Sequence, residues 1–208
     1  MKILLTDDHA VVRRGVKQIL AEAFPKAVFG EARTAHEALE HIWRETWDVV
    51  VLDLTLPGRG GLEVLREVRK SRPRLPVLVL SMHPENEFAI RVLKRGASGY
   101  VTKGSAPEEL VGAVRKVLAG GRFISDALAE RLAADLAMEG TNPREALSDR
   151  EFQVLRLIGM GKTVGEIGKE LALSVKTVST YRTRVLQKIG LRNNAEVMRY
   201  AMQHQLVE

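Results

Sequence analysis

Apolar and polar residues alternate with two different periods along the chain, and the change falls near residue 120. Over residues 1–119, short apolar runs alternate with segments whose apolar positions recur at helical spacing. Lys2-Ile3-Leu4-Leu5-Thr6 reads as a strand ending in Asp7-Asp8, and the segment after it places Val12, Val16, Ile19, Leu20 and Phe24 on one helical face. Residues 27–32 and 34–45 predict a second strand and helix. Val49-Val50-Val51-Leu52 is too short and too β-branched for a helix, suits a strand buried on both faces, and ends at Asp53 before the Pro57-Gly58 loop. A helix over 62–70, a strand over 75–81, a helix over about 84–95, a short strand over 98–103 and a helix opened by Pro107 complete the series. This strict βα alternation predicts an α/β doubly wound parallel five-stranded sheet of the flavodoxin-like kind.

Beyond Gly120-Gly121 the rhythm stops. Leu128, Leu132 and Leu136 recur every fourth residue, which predicts a helix that Gly140-Thr141-Asn142-Pro143 ends. With three basic and five acidic residues over 121–146, this segment is net acidic and unsuited to nucleic acid. It reads as a linker, residues 120–146, either a solvated tether or a helix that helps dock or dimerise the domains. Residues 147–208 predict a small all-α domain of four helices. Ser148 and Glu151 form a capping box before inward-facing Phe152, Leu155 and Ile158, and Thr163 with Glu166 forms a second. Ala172-Leu173 is a tight turn, Ser174 caps a third helix to about Ile189, and Asn193 or Asn194 begins the last. Loops this short place a helix-turn-helix inside the domain.

Composition narrows the setting. The 208 residues contain 45% hydrophobic and 28% charged side chains, as in ordinary globular proteins, and no cysteine, which excludes disulfides and thiolate metal sites. No apolar run approaches the roughly 18 residues of a membrane span, and the apolar start runs into acidic residues rather than a signal peptide, so no membrane role and a cytoplasmic location are expected. The net charge of +6 suits an anionic partner.

The strand ends carry the chemistry. In open α/β sheets, function gathers at the carboxyl ends of the strands, where Asp7, Asp8, Asp53, Ser81 and Lys103 all fall. Taken singly, each has a plainer role. Asp7 or Asp8 could cap a helix, Ser81 could be a loop hydroxyl, and Tyr100 an edge-strand aromatic. Together, three carboxylates must share protons or neutralise a cation, and oxygen ligands without Cys or His suit Mg2+. A dication, an ammonium and a hydroxyl around one carboxylate form a site for an incoming phosphoryl group, with Asp53 as nucleophile.

Residues 1–119 resemble the receiver domain of bacterial two-component response regulators through LLTDDHAVVRRGV, VVLDLTLPGRGGLEVLR and VLVLSMHPENEFAIRVLKRGASGYVTKG. The resemblance implies that Asp53 accepts phosphate from a sensor histidine kinase. It implies that Asp7, Asp8, Asp53 and the backbone carbonyl of Thr55 hold Mg2+, that Ser81 and Tyr100 form a switch pair, and that Lys103 contacts the phosphoryl group. Thr55 and His83 occupy positions that tune phosphoryl lifetime in that family. Gly104 replaces the family's proline and leaves open whether the Lys103–Gly104 peptide is cis. The remaining histidines, including His9, read as surface or packing residues.

The third helix of the second domain holds Lys176, Arg182, Arg184 and Lys188 and no acid, with hydroxyls at Thr177, Ser179, Thr180, Tyr181 and Thr183. Its apolar positions Val175, Val178, Val185, Leu186 and Ile189 can face the core. A basic helix is often a solvated face, but its place as second helix of a helix-turn-helix favours double-stranded DNA. The stretch LSDREFQVLRLIGMGKTVGEIGKELALSVKTVSTYRTRVLQKIGL resembles the LuxR-type helix-turn-helix, with departures at Val164-Gly165, Gly168 and residues 179–182. The resemblance implies that Lys176, Thr177, Ser179, Thr180 and Arg182 approach the major groove and that Arg184 and Lys188 meet phosphates. It also implies a dimer contact through Val197, Tyr200 and Ala201, which could equally be core. Both resemblances together match the NarL/FixJ class, a non-enzymatic, phosphorylation-controlled transcription factor acting as a homodimer, with RNA polymerase a further partner. Two rivals remain: a receiver-fold protein that binds DNA independently of phosphorylation, and a Mg2+-dependent hydrolase. The haloacid-dehalogenase pattern wants an acid where Thr55 stands.

Overall fold

The computed structural model describes residues 1–56, 60–82, 87–126, 128–130, 133, 147–204 and 206–207. The chain divides into two compact units, Met1–Ala133 and Ala134–Glu208. In the first, β1 (Lys2–Thr6), β2 (Val28–Ala32), β3 (Val49–Leu52), β4 (Val77–Ser81) and β5 (Gly99–Thr102) form one parallel sheet in the order β2-β1-β3-β4-β5. The helices α1 (Ala10–Ala23), α2 (Ala35–Arg44), α3 (Gly61–Ser71), α4 (Glu87–Lys94) and α5 (Pro107–Leu118) connect and follow the strands. β3 is apolar throughout and β4 up to Ser81 because both faces are covered, and every residue of the two strands is buried. Ile3, Leu5, Val49, Val51, Leu78 and Val101 pack with Val16 and Leu20 of α1 and Leu110, Ala113, Val114 and Val117 of α5.

Element boundaries are shorter than the pattern suggested: β2 starts at Val28, β4 at Val77, and β3 ends at Leu52, one residue before Asp53. The pairing nevertheless continues beyond the strands. Asp7 N–H donates to Ala32 O at 3.1 Å, Asp53 N–H to Thr6 O at 2.8 Å and Lys103 N–H to Ser81 O at 2.7 Å, so the sheet's own ladder fixes the backbone of all three polar residues. Chain beyond α5 stays on this unit, where Phe123 bridges to Gly99 and its carbonyl accepts from Tyr100 N–H. Residues 84–86, where the fourth helix was expected to start, and residues 131–132 and 134–146, with Leu132 and Leu136 of the expected linker helix, lie outside the described residues. There is no cis peptide bond among the described residues, so the Lys103–Gly104 bond is trans.

The second unit contains α6 (Asp149–Gly159), α7 (Val164–Glu170), α8 (Val175–Ile189) and α9 (Asn194–Gln203). Both expected capping boxes form, Ser148 with Glu151 and Thr163 with Glu166, and Ser174 and Asn193 cap α8 and α9. Ala172 turns the chain between α7 and α8 at φ 52°, and Gly190 ends α8 in the left-handed conformation at φ 74°, where a glycine carries no steric penalty. Phe152, Leu155, Ile158, Ile167, Val178, Val185, Val197 and Ala201 are buried.

Candidate functional site

At the carboxyl ends of β1, β3 and β5, Asp7, Asp53 and Lys103 converge. Lys103 Nζ lies 2.7 Å from Asp7 Oδ2 and 2.8 Å from Asp53 Oδ2, and all three side chains are at most 7% exposed. Burial works against the ammonium, but the two carboxylates outweigh it and raise its pKa above the usual lysine value. The other oxygen of Asp53, Oδ1, accepts from Thr55 N–H at 3.1 Å and Thr55 Oγ1 at 3.0 Å. Asp53 is thus oriented at both oxygens. Gly61, the first residue of α3, packs so closely that a β-carbon there would sit 2.1 Å from the Asp53 carbonyl.

The Asp7-Asp8 pair is held from behind. Asp7 Oδ1 accepts from His9 N–H at 2.8 Å, and the Asp7 carbonyl accepts from buried Arg13 Nη1 at 2.7 Å. Arg13 Nε donates in turn to Glu31 Oε2 at 2.9 Å, and Lys17 and Arg13 together hold the Glu31 carboxyl below its usual range. His9, expected as a surface or packing residue, joins the cluster: its ring lies 2.8 Å from Asp8 Oδ1, and ligand atoms of Asp7, Asp8, His9 and Asp53 all fall within 4.8 Å of one another. Neither Arg13 nor His9 was singled out from the sequence. The spacing of Arg13 puts it one helical turn into α1, facing back to the strand end.

The donor set suits a hard dication. Asp7 Oδ2 is buried and has no well-angled hydrogen bond, only the neighbouring ammonium as counter-charge. An oxygen held in that way is available to a second cation. Ser81 ends β4 fully buried, and Tyr100 is fully buried although it stands on β5, an edge strand of the sheet. His83 lies outside the described residues.

In the second unit, α8 exposes Val175, Lys176, Ser179, Thr180, Thr183, Arg184, Gln187 and Lys188. Lys176, Ser179, Thr180, Thr183 and Gln187 recur at i, i+3, i+4, i+7 and i+11, so they form one stripe. Thr183 was noted from the sequence only for its hydroxyl, and Gln187 was not singled out, although the same spacing places both on this stripe. Val175, expected in the core, is 53% exposed at the first helical position. Thr177 and Arg182 are only half-exposed. Thr177 Oγ1 lies 2.8 Å from Ser174 Oγ, and Arg182 Nε donates to Asn194 Oδ1 at 2.5 Å. Lys188 Nζ donates to buried Glu151 Oε2 at 2.7 Å, joining α8 to the start of α6. Val197 and Ala201 are core residues, whereas Met198 and Met202 carry the exposed apolar surface of α9.

Comparison with known proteins finds a family match in each unit. Residues 3–115 match the response regulator receiver domain, and residues 145–201 match the bacterial regulatory proteins of the luxR family. The chain belongs to the two-component response regulators that join a receiver to a LuxR-type DNA-binding domain, a family of transcriptional regulators rather than enzymes. It is 37% identical to the response regulator UvrY of Escherichia coli K12, over 99% of this chain and 95% of that protein. It is also 37% identical to the response regulator GacA of Pseudomonas aeruginosa, over 100% and 98%. Among solved structures it is similar to RcsB from Salmonella enterica serovar Typhimurium bound to promoter rprA in the presence of phosphomimetic BeF3-, with a TM-score of 0.65 and 26% identity over 96% of this chain and 97% of that one. A LuxR-family two-component response regulator from Aurantimonas sp. SI85-9A1 is 42% identical, with a TM-score of 0.59, over 65% of this chain and 97% of its own. No described helix is long and apolar enough to cross a membrane.

Proposed function

We propose that Asp53 is the phosphoacceptor of this response regulator and that its phosphorylation by a sensor histidine kinase controls DNA binding by α8. The observation that carries this is the buried Lys103 ammonium held between Asp7 and Asp53, 2.7 and 2.8 Å from their oxygens, beside the hydroxyl of Thr55. Asp7, Asp8, Asp53 and the Thr55 carbonyl would hold Mg2+, which would supply charge neutralisation for the carboxylates and the incoming phosphoryl oxygens. Asp53 attacks phosphorus, the bond to the phosphohistidine nitrogen breaks, and the leaving imidazole takes a proton from solvent. Lys103 then turns from the carboxylates to the phosphoryl group, Ser81 donates a hydrogen bond to it, and Tyr100 repacks behind Ser81. The receiver would span residues 1–119 and the DNA-binding domain 147–208. A homodimer reading two half-sites is the arrangement we favour, supported by RcsB, of which two dimers have been seen bound to two parallel DNAs. Chromosomal DNA as the target implies work in the cytoplasm.

The site is tested by incubating the full-length protein with radiolabelled acetyl phosphate. The expected label requires Mg2+, is released by hydroxylamine as an acyl phosphate must be, and is absent from Asp53→Asn. Equal labelling of Asp53→Asn would remove Asp53 from the role.

A further inference from the structure

The exposed stripe of α8 looks rich in hydrogen-bonding groups by composition, but the side-chain geometry gives it a different chemistry. Thr180 Oγ1 donates to the Lys176 carbonyl at 3.0 Å, and Thr183 Oγ1 donates to the Ser179 carbonyl at 3.0 Å. Each hydroxyl proton is therefore committed to the helix backbone four residues back. Staggering about the Cα–Cβ bond then turns each threonine methyl away from the helix. Thr180 and Thr183 are neighbours at i, i+3, and Val175, 53% exposed, begins the ridge Val175-Ser179-Thr183. Three apolar groups thus lie on the helix surface that also exposes Lys176 and Arg184.

Resting on the assignment of α8 as the DNA-reading helix, we infer that this face selects duplexes by the C5 methyl groups of thymines in the major groove. Most major-groove features other than that methyl are acceptors or donors that call for a polar partner. The threonine oxygens can still accept, but they have no proton left to offer N7, O6 or O4. Lys176 and Arg184 on the same surface supply phosphate or guanine contacts and hold the methyl groups in register. An exposed valine at the start of the helix fits the same assignment, because the N-terminal residues of a recognition helix reach the base edges.

The test uses the full-length protein with acetyl phosphate and Mg2+ at fixed salt, on duplexes enriched from a random library. Thymines in the enriched sites are replaced one at a time by deoxyuridine, which removes only the methyl. Substitution opposite α8 is expected to weaken binding about fourfold per methyl, the scale of one buried methylene. Thr180→Ser and Thr183→Ser keep the back-bonded hydroxyl and remove the methyl. Each is expected to lose a similar factor on the thymine duplex and to show no further loss on the matching deoxyuridine duplex, and Val175→Ala is expected to do the same at its own position. Sequence-selective binding that is indifferent to deoxyuridine at every position overturns the inference. So do deoxyuridine losses that are identical in the wild type and all three variants. Duplex binding with no sequence preference overturns it while leaving DNA as the ligand, and absence of duplex binding overturns both.

Discussion

Replacing Lys103 with Met removes one charge at nearly constant volume from the centre of the receiver site. The ammonium lies 2.7 Å from Asp7 Oδ2 and 2.8 Å from Asp53 Oδ2, whose side chains are 7% and 1% exposed, so water cannot take its place. Removing one partner of a buried ion pair costs about 3–5 kcal/mol, and here two carboxylates lose their counter-charge together. At about 3 °C per kcal/mol for a unit of this size, the first unit is expected to melt about 10–15 °C lower in chelator at neutral pH. Trp43 and Trp47 are the protein's two tryptophans and both lie in that unit, so tryptophan fluorescence excited beyond the tyrosine band follows it alone. One signature separates the electrostatic cause from general damage: the deficit shrinks when Mg2+ is added, because a dication restores charge balance. In the wild type the pKa of Lys103 is raised on folding. Its contribution is therefore full below the ordinary lysine range and lost only as pH rises through the raised value. A variant that melts within about 2 °C of wild type refutes the reasoning. A deficit unchanged by Mg2+ refutes it equally.

Gly61→Ala would drive a β-carbon to 2.1 Å from the Asp53 carbonyl and 2.7 Å from Leu54 Cα, both backbone. The expected loss is about 1–3 kcal/mol in urea unfolding, with slower acetyl phosphate labelling as Asp53 shifts; wild-type values for both would contradict the packing. In the second unit, burial opposes the Glu151 carboxylate, but bonds from Lys188 and Ser148 prevail and hold its pKa below the usual range. Its stabilisation is accordingly full above the ordinary glutamate range and lost as pH falls through the depressed value. Glu151→Gln should cost about 1–2 kcal/mol at neutral pH, given the partial exposure of Lys188, and flatten that acid limb. Hydrogen exchange over residues 148–160 reads it, and an unchanged acid limb would count against the pair. Arg13→Gln removes the bonds to the Asp7 carbonyl and Glu31. Calorimetric Mg2+ affinity should fall about tenfold, and an unchanged affinity would show that Arg13 does not orient Asp7.

Much of this architecture was legible in the sequence because burial imposes a readable period. The run over residues 49–52 is apolar since both faces of β3 are covered, and the capping boxes at Ser148 and Thr163 declare their helices through local chemistry. The polar strand ends were legible for the same topological reason. What the sequence did not reveal depends on direction and distance. Val175 reads as apolar and therefore inward, yet it stands at the first position of α8, before the buried seam begins at Val178. Arg182 and Lys188 count equally as cations by composition, but one is tied to Asn194 and the other to Glu151, partners 12 and 37 residues away. His9 lacks metal-ligand spacing along the chain and reaches the acidic cluster only through the turn after β1. Val197 and Ala201 fit either a dimer contact or a core until the packing of α9 buries both.

The central claim, that a phosphoryl group on Asp53 governs DNA binding, is most directly tested by fluorescence anisotropy with the full-length protein at fixed salt. The duplex comes from genomic enrichment, and each titration is run with and without acetyl phosphate plus Mg2+, for wild type and Asp53→Asn. Phosphodonor should tighten wild-type binding and leave Asp53→Asn unchanged. Equal wild-type affinity under both conditions would contradict the claim and leave a DNA-binding protein whose receiver fold does not act as its switch.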